Sequence, residues 1–354
     1  MKIAVYTIAL NEEQFVERWY ETAKDADYLL IADTGSTDAT VEKARALGIN
    51  VFPISIKPWR FEDARNASLA LLPADIDLCI SLDMDETLSD GWREALEKST
   101  GTQMSYKFVW SWKDLAETIP LFTYIHTKVH ARHGYRWRGI VHEMPFPDRI
   151  KHVEEFLDDF EIHHHPDSEK SRGHYADLLL AGLNEEPDNN RYILYYAREL
   201  AYRKEYKEAA KHFKNYIKSK NVKHPGEQSL AYRQLAICEP RNAEKYLFKA
   251  NEADPTRREP LVSLSVYYYK KENWEKCFEY ATKALEITRK RLDYVSSDYA
   301  WGYLPYNLLA VSRNNMNNDE KWLLKVDSLI ATEFNLFGEA PTIEKEEQVL
   351  FDVK

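Results

Sequence analysis

Ile3-Ala4-Val5-Tyr6-Thr7-Ile8-Ala9-Leu10 runs straight into Asn11-Glu12-Glu13, and the reading of this stretch decides the fold. A secretory leader needs a longer apolar region and a small-residue cleavage site, and this run ends on charge instead. An apolar run bounded by a polar turn is a strand candidate, placed here over 2–9. The spacing of Phe15, Val16, Trp19 and Ala23 then predicts a helix within 12–26. The same rhythm continues with a strand over 28–32, a helix over 39–47, a strand over 50–54, a helix over 61–71 and a strand over 78–82. Strands alternating with helices imply βαβ units and a mainly parallel sheet. Ligands of such sheets gather at the carboxyl ends of the strands, so functional candidates belong just after Ala9, Ala32, Ile54 and Leu82.

Beyond residue 170 the strand signal ends and a repeat begins. Ala209, Ala243 and Cys277 lie 34 residues apart, as do Phe213, Leu247 and Ala281, and Tyr216, Ala250 and Ala284. Ala197, Ala231 and Ser265 keep the same period and are all small, as crossing helices require. With Asp254-Pro255 closing one unit, this is the tetratricopeptide pattern, an all-α solenoid. Such an array offers a groove to partners and no chemistry of its own. Residues 172–184 are expected to begin it and 298–334 to cap it. The polar joint His163-His164-His165-Pro166-Asp167-Ser168 marks a boundary. The expected organisation is an α/β domain over 1–165, helical repeats over 166–336 and a tail over 337–354.

Composition narrows the function. Of 354 residues, 48 are basic and 58 acidic, a net charge of −10 that argues against general nucleic-acid coating. Hydrophobic content of 44% is too high for a disordered chain. Cys79, Cys238 and Cys277 are odd in number and widely spaced, which gives no disulfide framework or cysteine zinc site and points to a reducing cytoplasm. No stretch reaches the about 20 apolar residues of a membrane span.

The sharpest chemical signal is Ser81-Leu82-Asp83-Met84-Asp85-Glu86, directly after an apolar run. Two carboxylates two residues apart reach one site if the strand breaks there, and hard oxygens suit Mg²⁺ or Mn²⁺. Asp33-Thr34-Gly35-Ser36-Thr37-Asp38 follows the second strand in the same way. Its plainer reading is a helix start capped by Asp38 or Thr37, and both readings can hold together.

Ala9-Leu10-Asn11-Glu12-Glu13, Ala32-Asp33-Thr34-Gly35-Ser36-Thr37-Asp38, Asp63-Ala64-Arg65-Asn66 and Asp83-Met84-Asp85-Glu86, in this order, resemble the family-two glycosyltransferases of the GT-A fold. The attached repeats resemble a bacterial and phage subset that carries a tetratricopeptide array behind the transferase domain. The resemblance implies a Rossmann-like catalytic domain that moves a hexose or pentose from a nucleotide-sugar, a UDP-sugar first among them, with Mn²⁺ or Mg²⁺ and with inversion. It further implies that Leu10, Asn11 and Glu12 border the nucleobase and that Asp33 bonds the base or ribose. Arg65 would approach the diphosphate with Asn66 in support, Asp83 would contact ribose or sugar, and Asp85 would ligate the metal. A bound metal and an arginine would stabilise the charge of the departing nucleoside diphosphate.

Farther on, Arg132-His133-Gly134-Tyr135-Arg136-Trp137-Arg138-Gly139-Ile140-Val141-His142-Glu143 combines basic, aromatic and His-Glu elements. Gly139, His142 and Glu143 match a Gly-x-x-His-Glu stretch of the same subset. Inversion needs a base for the acceptor proton, and Glu143 is the first candidate, with Asp114 and Glu117 in reserve. Many members carry an acidic pair before an Arg-Trp segment here, which this chain lacks. In the same subset a histidine after the last strand of the catalytic domain completes the metal site. One of His163, His164 and His165 would do so, His163 preferred and His142 a competitor; neighbouring histidines of a strand face opposite sides, so at most His163 and His165 share one. Trp59, Trp110, Trp112 and Trp137 are expected as core or pocket wall. The acceptor could be a glycan or lipid-linked sugar, a protein or peptide side chain held by the repeats, or a modified base in DNA. The rival function is a non-catalytic scaffold that binds a partner through the repeat groove.

Overall fold

A computed structural model describes residues 1–110, 122–165, 175–221 and 224–316. The chain divides into two units, one of Met1–His174 with Leu292–Tyr294 and one of Tyr175–Arg291 with Val295–Lys354.

The first unit opens as the periodicity predicts: β1 (Ile3–Ala9), α1 (Val16–Ala23), β2 (Tyr28–Asp33), α2 (Thr40–Ala46), β3 (Asn50–Pro53), α3 (Phe61–Ala70) and β4 (Leu78–Ser81). It continues with β5 (Glu86–Leu88), α4 (Trp92–Glu97), β6 (Gln103–Trp110), β7 (Phe122–Ala131), β8 (Tyr135–Arg138), β9 (Met144–Pro147) and β10 (Glu154–His164). Eight strands form one sheet in the order β3-β2-β1-β4-β7-β6-β10-β5, and β8 with β9 forms a separate ribbon. Both faces are covered: Ile3 and Val5 belong to one apolar cluster, Ala4 and Tyr6 to another.

The sheet is mixed rather than mainly parallel. β1 pairs in parallel with β2 and β4, and β2 with β3, but β7 lies antiparallel to both β4 and β6, and β5 antiparallel to β10. Parallel neighbours need a crossover, usually a helix. β7 pairs antiparallel with β6, so the strand following β6 folds back on it. The carboxyl ends of β1, β2, β4, β6 and β10 nevertheless share one edge, and the break after β4 lies on it. The start of α2 also differs from expectation: its N-cap is Ala39, while the Asp38 carboxylate accepts the Thr40 N–H at 3.0 Å.

The second unit is helical: α5 (Tyr175–Glu185), α6 (Asn190–Tyr202), α7 (Tyr206–Lys218), α8 (Pro225–Cys238), α9 (Ala243–Ala253), α10 (Arg258–Tyr269), α11 (Trp274–Glu286) and α12 (Leu304–Asn315). The repeat columns explain its packing. Ala209, Phe213 and Tyr216 on α7 are buried, as are Ala243, Leu247 and Ala250 on α9, and Cys277, Ala281 and Ala284 on α11. The small residues Ala197, Ala231 and Ser265 sit in α6, α8 and α10, and the Ser265 hydroxyl donates to the Cys277 carbonyl across one crossing at 2.7 Å. The segment between α11 and α12, which includes a short 3-10 turn over Asp298–Ala300, bonds to α8 and α10. Tyr299 Oη accepts from Arg233 at 2.5 Å and lies 3.1 Å from the Ser263 hydroxyl, while Ser297 N–H donates to Glu259 at 3.0 Å. The expected joint at 166–170, the end of the expected cap at 317–334 and the tail at 337–354 lie outside the described residues.

Candidate functional site

The loops leaving β1 and β2 are laced together. Asn11, at φ +55°, donates its N–H to the Ser36 hydroxyl at 2.9 Å, and its side-chain oxygen accepts the Thr37 N–H at 2.8 Å. Glu12 N–H donates to Thr40 Oγ1 at 2.7 Å. Asp33 is buried, and its carboxylate accepts the N–H groups of Gly35 and Ser36 at 3.1 and 3.2 Å. Gly35 sits at φ +116°, where a side chain would be strained. Leu10, Asn11, Glu12 and Asp33 therefore lie together at the sheet edge, with Leu10 exposed.

Beside them the break after β4 builds a charged lattice. Arg65 on α3 is buried and fully engaged: Nε donates to Glu143 at 2.6 Å, Nη1 to the Ser81 hydroxyl at 2.9 Å and Nη2 to Asp83 at 2.6 Å. Lys128 of β7 reaches Asp83 at 2.8 Å and Glu86 at 2.6 Å, and Glu86 accepts the Asp83 N–H at 2.9 Å. Burial alone would raise the Asp83 carboxyl, but the Arg65 guanidinium and the Lys128 ammonium hold it well below the usual carboxylate range. Glu86 goes the other way, pushed up by burial and by the charge of Asp83. Against the cost of burial, Asp83 and Glu143 raise the pKa of Arg65, and Asp83 and Glu86 raise that of Lys128, so both stay cationic.

A hydrogen-bonded spine supports this lattice from behind. The Trp137 ring lies 5.1 Å from the Arg65 guanidinium, and its Nε1 donates to Tyr6 Oη at 2.7 Å. Tyr6 Oη is 3.0 Å from His130 Nε2, and His130 Nδ1 is 2.9 Å from the Ala131 carbonyl. The carbonyl can only accept, so Nδ1 carries the proton and Nε2 accepts from tyrosine. Burial lowers the His130 pKa to about 4. Asn66 fixes Trp137 by exchanging two hydrogen bonds with its backbone, each 2.9 Å. The turn carrying Glu143 needs Gly139 at φ +114°, where a Cβ would press on the Val141 carbonyl at 3.2 Å.

Asp85 points away from this lattice. Its carboxylate is 3.2 Å from His164 Nε2, and its carbonyl accepts the His165 N–H at 2.8 Å. The structure thus brings His164, rather than His163, to Asp85. Neighbours on β10 face opposite sides, and His163 turns its Nε2 to Glu161 at 3.0 Å. Nδ1 of His164 and of His165 are buried with no hydrogen-bond partner among the described residues. Burial and the nearby Arg18 lower the His165 pKa to about 4, leaving its imidazole neutral at physiological pH. Among the described residues no three His, Cys, Asp or Glu side chains converge as a ready metal site. A carboxylate beside two imidazole nitrogens without partners among the described residues is a mixed oxygen and nitrogen donor set, of the kind first-row divalent cations take.

Other candidates resolve into structural parts. Arg132 donates to the Pro73 and Leu72 carbonyls, and His133 meets that of Ala74. On β8, Tyr135 and Trp137 point inward while Arg136 and Arg138 point out. His142 sits at φ +52° in the turn before Glu143. Trp59 packs edge-on to Phe61, and Trp110 packs on His164 with ring centres 4.0 Å apart. Asp114, Glu117 and Trp112 lie outside the described residues. Sequence reasoning missed Lys128, Ser81 and Arg18, preferred His163 to His164, and left Glu86 without a role. Their signal is the register of β4 with β7 and of β5 with β10, which no local pattern displays.

No protein-family model matches the chain. Over 109 residues, 30% of its length, it is 30% identical to an uncharacterized glycosyltransferase of Rickettsia bellii, covering 36% of that protein. Over 98 residues, 27% of its length, it is 30% identical to the lipopolysaccharide core biosynthesis glycosyltransferase LpsC of Rhizobium meliloti, again covering 36%. The chain spans about a third of the length of the curated relatives it matches. Among solved structures, glucosyl-3-phosphoglycerate synthase from Mycobacterium tuberculosis in complex with Mn²⁺ and UDP-glucose aligns at 26% identity over 31% of this chain and 44% of that one. Its TM-score of 0.26 is too low to carry an argument about fold or function.

Proposed function

We propose that the first unit is a metal-dependent, inverting glycosyltransferase that moves a sugar from a nucleotide-sugar donor to an acceptor nucleophile. The carrying observation is the division of labour in Asp83-Met84-Asp85: Asp83 is neutralised by Arg65 and Lys128, while Asp85 faces His164 with capacity to spare. The sequence relation to two curated glycosyltransferases supports the same activity class. Leu10, Asn11, Glu12 and Asp33 would border the nucleoside at the ends of β1 and β2, with Asp33 shaping the turn whose amides it holds.

Asp85, with an imidazole of the His164–His165 pair, would hold Mn²⁺ or Mg²⁺. When bound, the ion supplies positive charge against the donor's diphosphate. The acceptor oxygen attacks the anomeric carbon, the bond to the phosphate oxygen breaks with its electron pair leaving on the nucleoside diphosphate, and the acceptor proton passes to a carboxylate. Glu143 is the proposed base: Oε1 is taken by Arg65, which anchors the carboxylate, and a carboxylate has a second oxygen to offer. The second unit reads as a tetratricopeptide-like array. Residues 297–301 bond to Arg233 of α8 and to Arg258 and Glu259 of α10 on one face of it. Three free cysteines fit a reducing compartment such as the cytoplasm.

The test is thermal unfolding with Mn²⁺ against UDP-, GDP-, CMP- and dTDP-sugars. Stabilisation by one nucleotide class that needs the metal and vanishes in Asp85→Ala is the expected result. No shift with any donor in a well-folded protein would overturn the proposal.

A further inference from the structure

Arg65 is the candidate that the sequence offers for the donor's diphosphate, and the structure ties each of its nitrogens into the lattice. Its Nε, Nη1 and Nη2 are all committed to Glu143, Ser81 and Asp83. A second arginine, Arg18, stands at the same edge. Trp19 Nε1 donates to the Leu82 carbonyl at 3.0 Å and pins α1 to the start of the loop that carries Asp83 and Asp85. The preceding residue, Arg18, lies with its guanidinium carbon 4.9 Å from the Phe15 ring. Its Nε and Nη2 are buried and have no hydrogen-bond partner among the described residues. Burial lowers its pKa, and the charge that offsets this is that of Asp85.

Arg18 is half-buried, and buried N–H groups left without partners, one on Nε and two on Nη2, forfeit their hydration with nothing in return. The planar fork of arginine matches the oxygens of phosphate. A bare anion beside Asp85 would be repelled. A cation-bound diphosphate satisfies both groups at once, since the cation meets Asp85 and the outer oxygens meet Arg18.

We infer that Arg18 is the guanidinium that receives the diphosphate oxygens of the donor, and that Arg65 is a positioning residue that sets Asp83 and Glu143. This rests on the transferase reading above. As the anomeric C–O bond breaks, its electron pair moves onto the diphosphate, and Arg18 meets the charge that develops there.

The nucleotide is unidentified, so the probe is pyrophosphate with Mn²⁺, titrated calorimetrically into the full chain and its Arg18→Met and Arg18→Lys variants. The methionine keeps an apolar stem over Phe15. Wild type should bind Mn²⁺–pyrophosphate, Arg18→Met at least tenfold more weakly and Arg18→Lys in between, with the affinity for Mn²⁺ alone changed less than twofold. Removing an unpaired, half-buried charge should leave the melting temperature unchanged or raised, whereas a structural arginine would lower it. Equal pyrophosphate affinity in wild type and Arg18→Met overturns the role of Arg18 and leaves the transferase reading standing. Loss of Mn²⁺ binding in Arg18→Met also overturns it, because the residue then acts through Asp85. A wild type that binds neither Mn²⁺–pyrophosphate nor any nucleoside diphosphate sinks the transferase reading and this inference with it.

Discussion

Lys128→Met tests the charged lattice directly. The ammonium stands 2.8 Å from Asp83 and 2.6 Å from Glu86, and the side chains of both Lys128 and Glu86 are under 10% exposed. At an effective dielectric near 20, each contact is worth about 4 kcal/mol or more in Coulomb energy, most of it offset by the desolvation of three groups. Removing the cation alone keeps that desolvation cost without the attraction. Asp83 still has Arg65, so the penalty falls on Glu86, whose remaining hydrogen bond is from the Asp83 N–H. Breaking a buried pair on one side costs about 3–5 kcal/mol. The readout is amide hydrogen exchange of β1 and β4 at pH 7, which reports the stability of this unit without assuming that the whole chain unfolds in one step. Glu86→Gln in the Lys128→Met background should recover at least about 1.5 kcal/mol, since a neutral amide is left instead of a stranded charge. If Lys128→Met costs under about 1 kcal/mol, or if the double variant is no more stable than the single, the lattice does not hold Glu86 as described.

Glu143→Gln should leave metal-dependent donor binding within about threefold and cut turnover more than tenfold, which is about 1.4 kcal/mol of barrier; a smaller drop in steady-state turnover removes Glu143 as the base. His130 supplies a pH dependence of stability. Its folded pKa of about 4 lies below the unfolded value near 6.5, so the unfolded state binds the extra proton between these limits. The contribution is complete above pH 6.5 and is lost as pH falls toward 4, by up to about 3 kcal/mol. Denaturation from pH 7 to 4.5 should show this loss in wild type and not in His130→Gln, and identical pH profiles would refute it.

The strand–turn–helix order up to β4 is legible because each element is set by local spacing, and the repeat because burial recurs every 34 residues at Ala209, Ala243 and Cys277. What escapes is long-range. Lys128 stands beside Val129 in a β-type run, where nothing local tells an inward lysine from an outward one. It meets Asp83 only because β7 pairs antiparallel with β4, placing Val129 opposite Ile80. His164 is one of three adjacent histidines, and its choice over His163 is made by the register that sets it opposite Glu86. Arg18 reads as an ordinary residue on the polar side of an amphipathic helix. Its distinction comes from the Trp19 contact that seats α1 against the Leu82 carbonyl.

The two aspartates of one motif therefore do different work, and the charge balance says why. Arg65 and Lys128 face Asp83, Glu86 and Glu143, two cations against three carboxylates, and the surplus is eased by burial and Asp83 pushing Glu86 toward protonation. A lattice so nearly neutral has little attraction left for an outside cation, and both oxygens of Asp83 and of Glu86 are occupied by short hydrogen bonds. Two residues on, where the strand has broken, Asp85 has the His164 imidazole at 3.2 Å, and near it Nε and Nη2 of Arg18 lack partners among the described residues. Under the proposed function this Asp-x-Asp motif needs both residues for one site: Asp83 fixes the floor, and Asp85 takes the cation.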